Sequence, residues 1–258
     1  LRKSILQEAI QGKLVPQIPE ERTAQELLEQ IRQEKQKLVK EGKLKKFALS
    51  DSVIYKGDDN KYYEQVGKSD KEITEEIAFD LPNGWSWCRL KDICSIFTGA
   101  TFKKEETVTT KEGVRILRGG NISPFELRIK DDDIFLTKDK VKEDIILKEN
   151  DILTPAVTSL ENIGKMVRVN SDMPNTTVGG FVFIIRLYLK NQWLSKYILY
   201  LLSSPFMIDF MKSITNKSGQ AFYNIGKERL STALLPIPSL AEQHRIVAQI
   251  EKLFEQLR

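Results

Sequence analysis

The chain has 258 residues, 41% hydrophobic and 29% charged, with a formal net charge of +4. That composition supports a sizeable core without disulfide or metal staples, as one domain or one domain with appendages. The longest apolar stretch, Val178 to Tyr188, is interrupted by Gly179, Gly180 and Arg186 and falls short of the ~18 residues of a membrane span, so a cytoplasmic protein with no membrane partner is expected.

The first predicted element is a helix from Leu1 to Lys13, with Leu1, Ile5, Leu6, Ala9 and Ile10 at helical spacing and Gly12, Pro16 and Pro19 to end it. A second helix begins at Thr23-Ala-Gln-Glu26. In this capping box the Thr hydroxyl can take an orphan N–H and the Glu can reach back. Its stripe is Leu27, Ile31 and Leu38, with Glu34 in the intervening position, and Gly42 is the stop. Residues 1–46 thus form a helical region. Residues 47–80 read as a polar connector with one short hairpin near Val53–Tyr63, too poor in apolar residues for a core of its own.

Residues 81–235 read as a mixed α+β domain. Short strands are predicted at Val114–Leu117, Asp133–Leu136, Asp151–Leu153, Lys165–Val169 and Gly180–Leu187, separated by turn residues. A helix is expected from Ser195 to Ser213, kinked or divided at Pro205. The strand spacing does not suggest regular βαβ units. Pro236-Ile-Pro238 then breaks the chain, and Ser239-Leu-Ala-Glu242 is a second capping box that opens a helix over 236–258. Ile246, Ile250, Leu253 and Leu257 follow at steps of four, three and four, a seam of the coiled-coil kind. A stripe this short needs a partner. The expected arrangement is an antiparallel pairing of the helices at the two ends of the chain; the alternative is that each stripe packs on its own domain.

Charge is unevenly placed. Residues 81–235 carry 22 basic and 17 acidic side chains, and Pro155–Leu235 alone carries 9 basic and 4 acidic ones. A basic middle between near-neutral flanks is compatible with a polyanionic partner. Familiar catalytic signatures are missing from the sequence. There is no P-loop, no G-x-S-x-G elbow and no glycine-rich methyltransferase loop after a strand. The single histidine, His244, falls in a predicted helix and reads as structural. Cys88 and Cys94 lack a common zinc spacing and read as ordinary reduced thiols. Asp131-Asp-Asp133 is the one acidic run that suggests Mg²⁺ chemistry, but three consecutive strand residues cannot all face one ion, so a solvated turn is expected.

DNA readers combine lysine, arginine and backbone N–H contacts to phosphate with Arg, Asn, Gln and hydroxyl contacts to base edges. Four polar, glycine-hinged segments offer that mixture: Thr98–Lys104, Arg118–Asn121, Thr158–Lys165 with Arg168 after it, and Asn216–Asn224.

Longer motifs carry a resemblance. Ser218-Gly-Gln-Ala-Phe-Tyr-Asn-Ile-Gly-Lys-Glu-Arg-Leu230, followed by Leu235-Pro-Ile-Pro-Ser-Leu-Ala-Glu-Gln-His-Arg-Ile-Val-Ala-Gln-Ile-Glu251, resembles the specificity subunits of type I restriction–modification systems. Leu81-Pro-Asn-Gly-Trp-Ser-Trp-Cys-Arg-Leu-Lys-Asp-Ile93 is similar to the P-x-x-W-x-W-x-x-L opening of a target recognition domain in that family, and Leu1–Leu14 to the end of its conserved helices. The resemblance implies one recognition domain (81–235) flanked by conserved helices that pair as an antiparallel coiled coil. It implies a non-catalytic reader of double-stranded DNA that directs methylation and cleavage by modification and restriction subunits. S-adenosylmethionine would sit on the modification subunit, and no cofactor or metal on this chain. A typical subunit has two recognition domains, so this chain is expected to be a C-terminal half or a half-subunit that forms a homodimer. The expected DNA surface is Lys103, Lys104, Arg118, Asn121, Asn162, Lys165, Arg168, Lys217, Gln220, Tyr223 and Lys227. The expected helix-pairing residues are Leu27, Ile31, Leu38, Ile246, Ile250, Leu253 and Leu257. A metal-dependent nuclease using Asp131–Asp133 and a protein-interaction adaptor are the alternatives.

Overall fold

The structure is a computed structural model that describes residues 1–109 and 111–257. Its helices in chain order are α1 (Arg2–Ile10), α2 (Ala24–Lys40), α3 (Leu90–Ile93), α4 (Gln192–Leu202), α5 (Pro205–Ser213), α6 (Lys227–Ser231) and α7 (Leu240–Gln256). The strands are β1 (Ser52–Lys56), β2 (Tyr62–Val66), β3 (Ser69–Glu72), β4 (Ser86–Arg89), β5 (Cys94–Thr98), β6 (Val114–Leu117), β7 (Ile122–Ser123), β8 (Glu126–Leu127), β9 (Ile134–Leu136), β10 (Ile152–Pro155), β11 (Val157–Thr158), β12 (Val167–Arg168), β13 (Thr176–Val178), β14 (Val182–Leu187), β15 (Thr215–Ser218), β16 (Phe222–Ile225) and β17 (Leu234–Ile237). They form two compact units: one of Leu1–Cys94, Tyr188–Pro205 and Ser231–Arg258, the other of Ser95–Leu187 and Phe206–Leu230. Among the described residues no helix is long and apolar enough to cross a membrane.

The first unit gathers three separated stretches of chain. Antiparallel pairing of β4 with β17 (Ser86↔Ile237 to Arg89↔Leu234) joins residues near 90 to residues near 235. Its helices start where the capping residues dictate: Thr23 Oγ1 accepts from Glu26 N at 3.4 Å and Ser239 Oγ from Glu242 N at 3.1 Å. In α2 the buried stripe is Ala24, Leu27, Ile31 and Lys35, whereas Glu34 and Leu38 are half-buried. A lysine takes the core position because its ammonium pairs with Asp51, donates to the Asp92 carbonyl at 3.4 Å and lies 5.1 Å from the Tyr188 ring centre. α7 buries Ile246, Val247 and Ile250 and packs on α4 and α1. Lys196 and Glu251 meet at 2.8 Å, the His244 and Trp193 rings at 3.9 Å, and Tyr200 meets Phe254 edge-on at 5.9 Å.

The polar stretch after α2 has more structure than one hairpin. It is a three-stranded antiparallel sheet, β1-β2-β3. It lacks the apolar residues for a core and borrows them: Ile73 packs with Trp87 and Leu234, and Ile54, Tyr62, Ile77, Phe79 and Leu81 close around them. Buried Arg89 supports the arrangement from β4, reaching Glu64 at 2.7 Å, Glu76 at 2.8 Å and the Thr232 carbonyl at 2.9 Å.

The second unit is mostly short strands. Its sheets run β12-β10-β14-β5, β13-β6-β9 and β11-β16-β15, with a small β7-β8 pair. β13 and β6 are parallel. Leu117, Ile122, Leu147, Leu153, Val167, Val169, Val178, Val182 and Ile184 form one buried cluster, and Ala100, Val114, Ile116 and Leu136 another. Pro205 divides the expected Ser195–Ser213 helix: α4 ends at Leu202 and α5 begins on the proline. Position N1 suits proline because its missing N–H would have no helical partner there.

Glu242 does not close its capping box in the expected way. Its carboxylate is buried and accepts from Trp85 Nε1 at 3.0 Å and Gln17 Nε2 at 2.6 Å. Burial pushes its pKa above the ordinary value of 4.5, with the Gln17 and Trp85 hydrogen bonds opposing the rise. A raised carboxyl pKa means the folded state holds its proton more tightly than the unfolded chain. Its contribution to stability is therefore fully present below about 4.5 and is lost as pH rises through the folded value. Urea titrations across that range should show a pH dependence that Glu242→Gln removes. Glu242→Ala, which strands two buried donors, is expected to cost about 1–3 kcal/mol at neutral pH.

Candidate nucleic-acid interface

Backbone hydrogen bonds in the second unit draw the polar loops towards one another. Thr98–Lys104 leaves β5 beside β13, where Ala100 N donates to the Val178 carbonyl at 2.8 Å. Gly99 makes that approach possible, since a Cβ there would lie 1.8 Å from the Val178 oxygen. One residue on, Gly179 N donates to the Leu117 carbonyl at 2.8 Å, placing Arg118 next to the Gly179-Gly180 turn. The turn's Phe181 carbonyl accepts from Ala156 N at 2.8 Å, and the Ala156 carbonyl accepts from Ile225 N at 2.9 Å. β11 then continues onto β16 (Thr158↔Tyr223), and β16 onto β15 (Tyr223↔Lys217). Gly219, at φ +72°, lets the β15–β16 hairpin turn and present Gln220.

Arg118–Asp133 is held by a buried polar post. Asn121 is 1% exposed, with Oδ1 accepting from Arg118 N at 2.8 Å and Nδ2 donating to the Arg128 carbonyl at 2.8 Å and Asp133 Oδ1 at 2.6 Å. Asp133 also accepts from Lys130 N at 2.9 Å and Arg115 Nη1 at 2.8 Å. Burial would raise the Asp133 carboxyl, but the Lys130 N–H, the Asn121 amide and the Arg115 guanidinium together hold it below its ordinary value of 3.8. The acidic run is therefore no solvated turn throughout: Asp131 and Asp132 are exposed, and Asp133 points inward to build the loop.

Six of the expected contact residues are exposed: Lys103, Lys104, Arg118, Lys217, Gln220 and Lys227. Asn162, Lys165 and Tyr223 are half-buried, Asn162 donating to Ser159 Oγ at 2.9 Å. Arg118 is lightly tethered, 3.8 Å from the exposed Asp132 carboxylate, and Lys227 lies 3.6 Å from Glu228. Asn121 and Arg168 require correction as surface residues. Asn121 uses its amide to build the loop, and Arg168 is buried in β12 with Nη1 on Asn170 Oδ1 at 2.6 Å. Of the helix stripes, Leu27, Ile31, Ile246 and Ile250 are buried, Leu38 and Leu253 half-buried, and Leu257 exposed. Phe181, outside the expected contact residues, is 74% exposed. Its position directly after Gly179-Gly180 was the available signal, because a double glycine ahead of a strand marks a turn.

Among the described residues no group of three or more His, Cys, Asp or Glu is placed to hold a metal ion. The family described as type I restriction modification DNA specificity domain matches residues 82–258. The chain belongs to this family. It is 32% identical, over 99% of its length, to the type I restriction enzyme EcoAI specificity subunit of Escherichia coli and covers 39% of that protein. It is 27% identical to the EcoEI specificity subunit of the same organism, with 99% of this chain and 40% of that one aligned. The chain thus spans about two-fifths of the length of these specificity-subunit relatives. A solved structure concerned with complex assembly and conformational transition of the type I R-M system shares the fold, with a TM-score of 0.52 and 21% identity over 69% of this chain and 40% of that one.

For a chain of the specificity-domain family, the Asp133 post is a structural feature beneath a loop. Asp133→Ala leaves Asn121 Nδ2 and the Arg115 guanidinium without their acceptor and is expected to cost on the order of 3 kcal/mol at pH 7. Because the Asp133 pKa is lowered, the wild-type protein holds this contribution above about 3.8 and loses it as pH falls through the folded value. Chemical denaturation of the two proteins at pH 7 and in acid measures both effects.

Proposed function

We propose that this chain is a sequence-specific DNA recognition component of a type I restriction–modification complex. The observation that carries the reading is the series of backbone bonds linking the Lys103–Lys104, Arg118 and Lys217–Tyr223 loops in a chain of the specificity-domain family. Exposed lysines at 103, 104, 217 and 227 suit phosphates, while Arg118 and Gln220 have the hydrogen-bonding groups that base edges require. Double-stranded DNA is the ligand, and residues 81–235 act as the target recognition domain. Methylation and cleavage are left to modification and restriction subunits in the cytoplasm, with S-adenosylmethionine on the modification subunit. The nuclease alternative loses its main support because Asp133 is committed to Asn121, Arg115 and Lys130.

The helices of the first unit would set the distance between half-sites. Leu253 and Leu257 at the end of α7 are less buried than Ile246 and Ile250, which leaves that part of the stripe for antiparallel pairing with another helix. A second recognition domain would come from further chain or from a second copy in a homodimer.

The test uses the chain assembled with its modification subunit. Lys217→Ala and Lys103→Ala should each weaken DNA binding and reduce the slope of log affinity against log salt by about 1. Arg118→Ala and Gln220→Ala should change which genomic sites are methylated, as read by methylation sequencing. Unchanged methylation in both would remove these residues from base reading. Plasmid cleavage by the chain alone with Mg²⁺ would overturn the non-catalytic reading.

A further inference from the structure

Phe181 is the most exposed large apolar side chain of the second unit among the described residues, at 74%, ahead of Phe222 at 54%. Its backbone is firmly placed. Gly179 and Val182 close the turn around it, with Val182 N on the Gly179 carbonyl at 3.1 Å, and its own carbonyl accepts from Ala156 N. Val182 then enters β14 opposite Pro155. On one side a Cβ at Gly180 would come within 3.1 Å of Thr101 Oγ1, from the loop that leads to Lys103 and Lys104. On the other, Gly179 bonds the residue before Arg118. Beyond Ala156 lies β16, the strand paired with Lys217. A bare aromatic ring on a fixed turn, between loops that carry cations and hydrogen-bonding groups, is a poor fit to an apolar protein surface. It suits a π-face flanked by phosphates.

We propose that Phe181 stacks on the face of a base at a duplex step that opens when this chain binds DNA. The inference rests on the DNA-recognition reading and adds a mode of contact to it. An apolar ring that enters a base step partly unstacks it, and the cost depends on the sequence being opened. Phe181 would therefore contribute to target choice without a hydrogen bond to any base, acting beside Arg118 and Gln220. Its fixed turn matters because a ring already in place loses little freedom on insertion.

The experiment uses the chain assembled with its modification subunit and a duplex carrying the target found by methylation sequencing, with 2-aminopurine substituted at each position in turn. The wild-type complex should raise 2-aminopurine emission at one step other than the base that the modification subunit methylates and extrudes. Phe181→Ala should lose that rise and bind the target roughly tenfold more weakly, as removal of a stacking ring does elsewhere. Its melting temperature and its assembly with the modification subunit should be unchanged, and Phe181→Trp should restore the signal. Target binding and emission by Phe181→Ala equal to wild type would overturn the inference and leave DNA recognition standing. Loss of assembly in Phe181→Ala would also overturn it, assigning the ring to a protein contact. Failure of the wild-type complex to bind any DNA would remove the recognition reading and this inference together.

Discussion

The hydrogen bonds to the buried Glu242 carboxylate join three distant parts of the chain. Trp85 comes from the opening of the central region, Gln17 from the segment after the first helix, and Glu242 from the first turn of the last helix. A second tie lies one turn on, where Arg245 reaches Glu21 at 2.7 Å and the Pro16 carbonyl at 2.9 Å. A carboxylate near a helix N-terminus is favoured by the helix dipole, yet burial charges a desolvation cost that only well-placed donors offset. The indole and amide N–H groups offset part of that cost, and burial still leaves the carboxyl pKa raised. The β4–β17 ladder then fixes where the chain leaves the first unit and where it finally returns.

A similar economy of buried polar groups builds the second unit. Asn121 and Asp133 have no exposed role, but between them they satisfy backbone groups of Arg118, Arg128 and Lys130 and hold Arg115. A loop so held can carry Arg118 and two glycines at its surface without collapsing. Short strands leave many such loops, and exposed side chains in loops can vary while the polar post and the apolar clusters remain.

Much of the local structure was legible because it depends on neighbours in sequence. The capping residues Thr23 and Ser239, the proline that divides α4 from α5, and the run Val114–Leu117 all occupy their expected places. Trp85 and Trp87, from the motif that opens the central region, are both buried. The meander over residues 52–72 was underread because its core comes from Trp87 and Leu234, which no local window contains. Asn121 and Arg168 lie buried for the opposite reason. Their side-chain types suit DNA, but composition does not report which polar groups the fold consumes internally.

The sequence by itself determined the class of structure and the family, since periodicity, capping and the motifs around Trp85 and Gln243 are linear properties of the chain. It also located the polar loops. Tertiary structure alone decided which of their residues face outward, that Glu242 serves Trp85 rather than its own helix start, and that Phe181 stands exposed between the Thr101 and Ala156 segments. The physical reason is common to all three. Burial and hydrogen-bond partnership are set by residues tens to hundreds of positions away, and only folding brings those partners within reach.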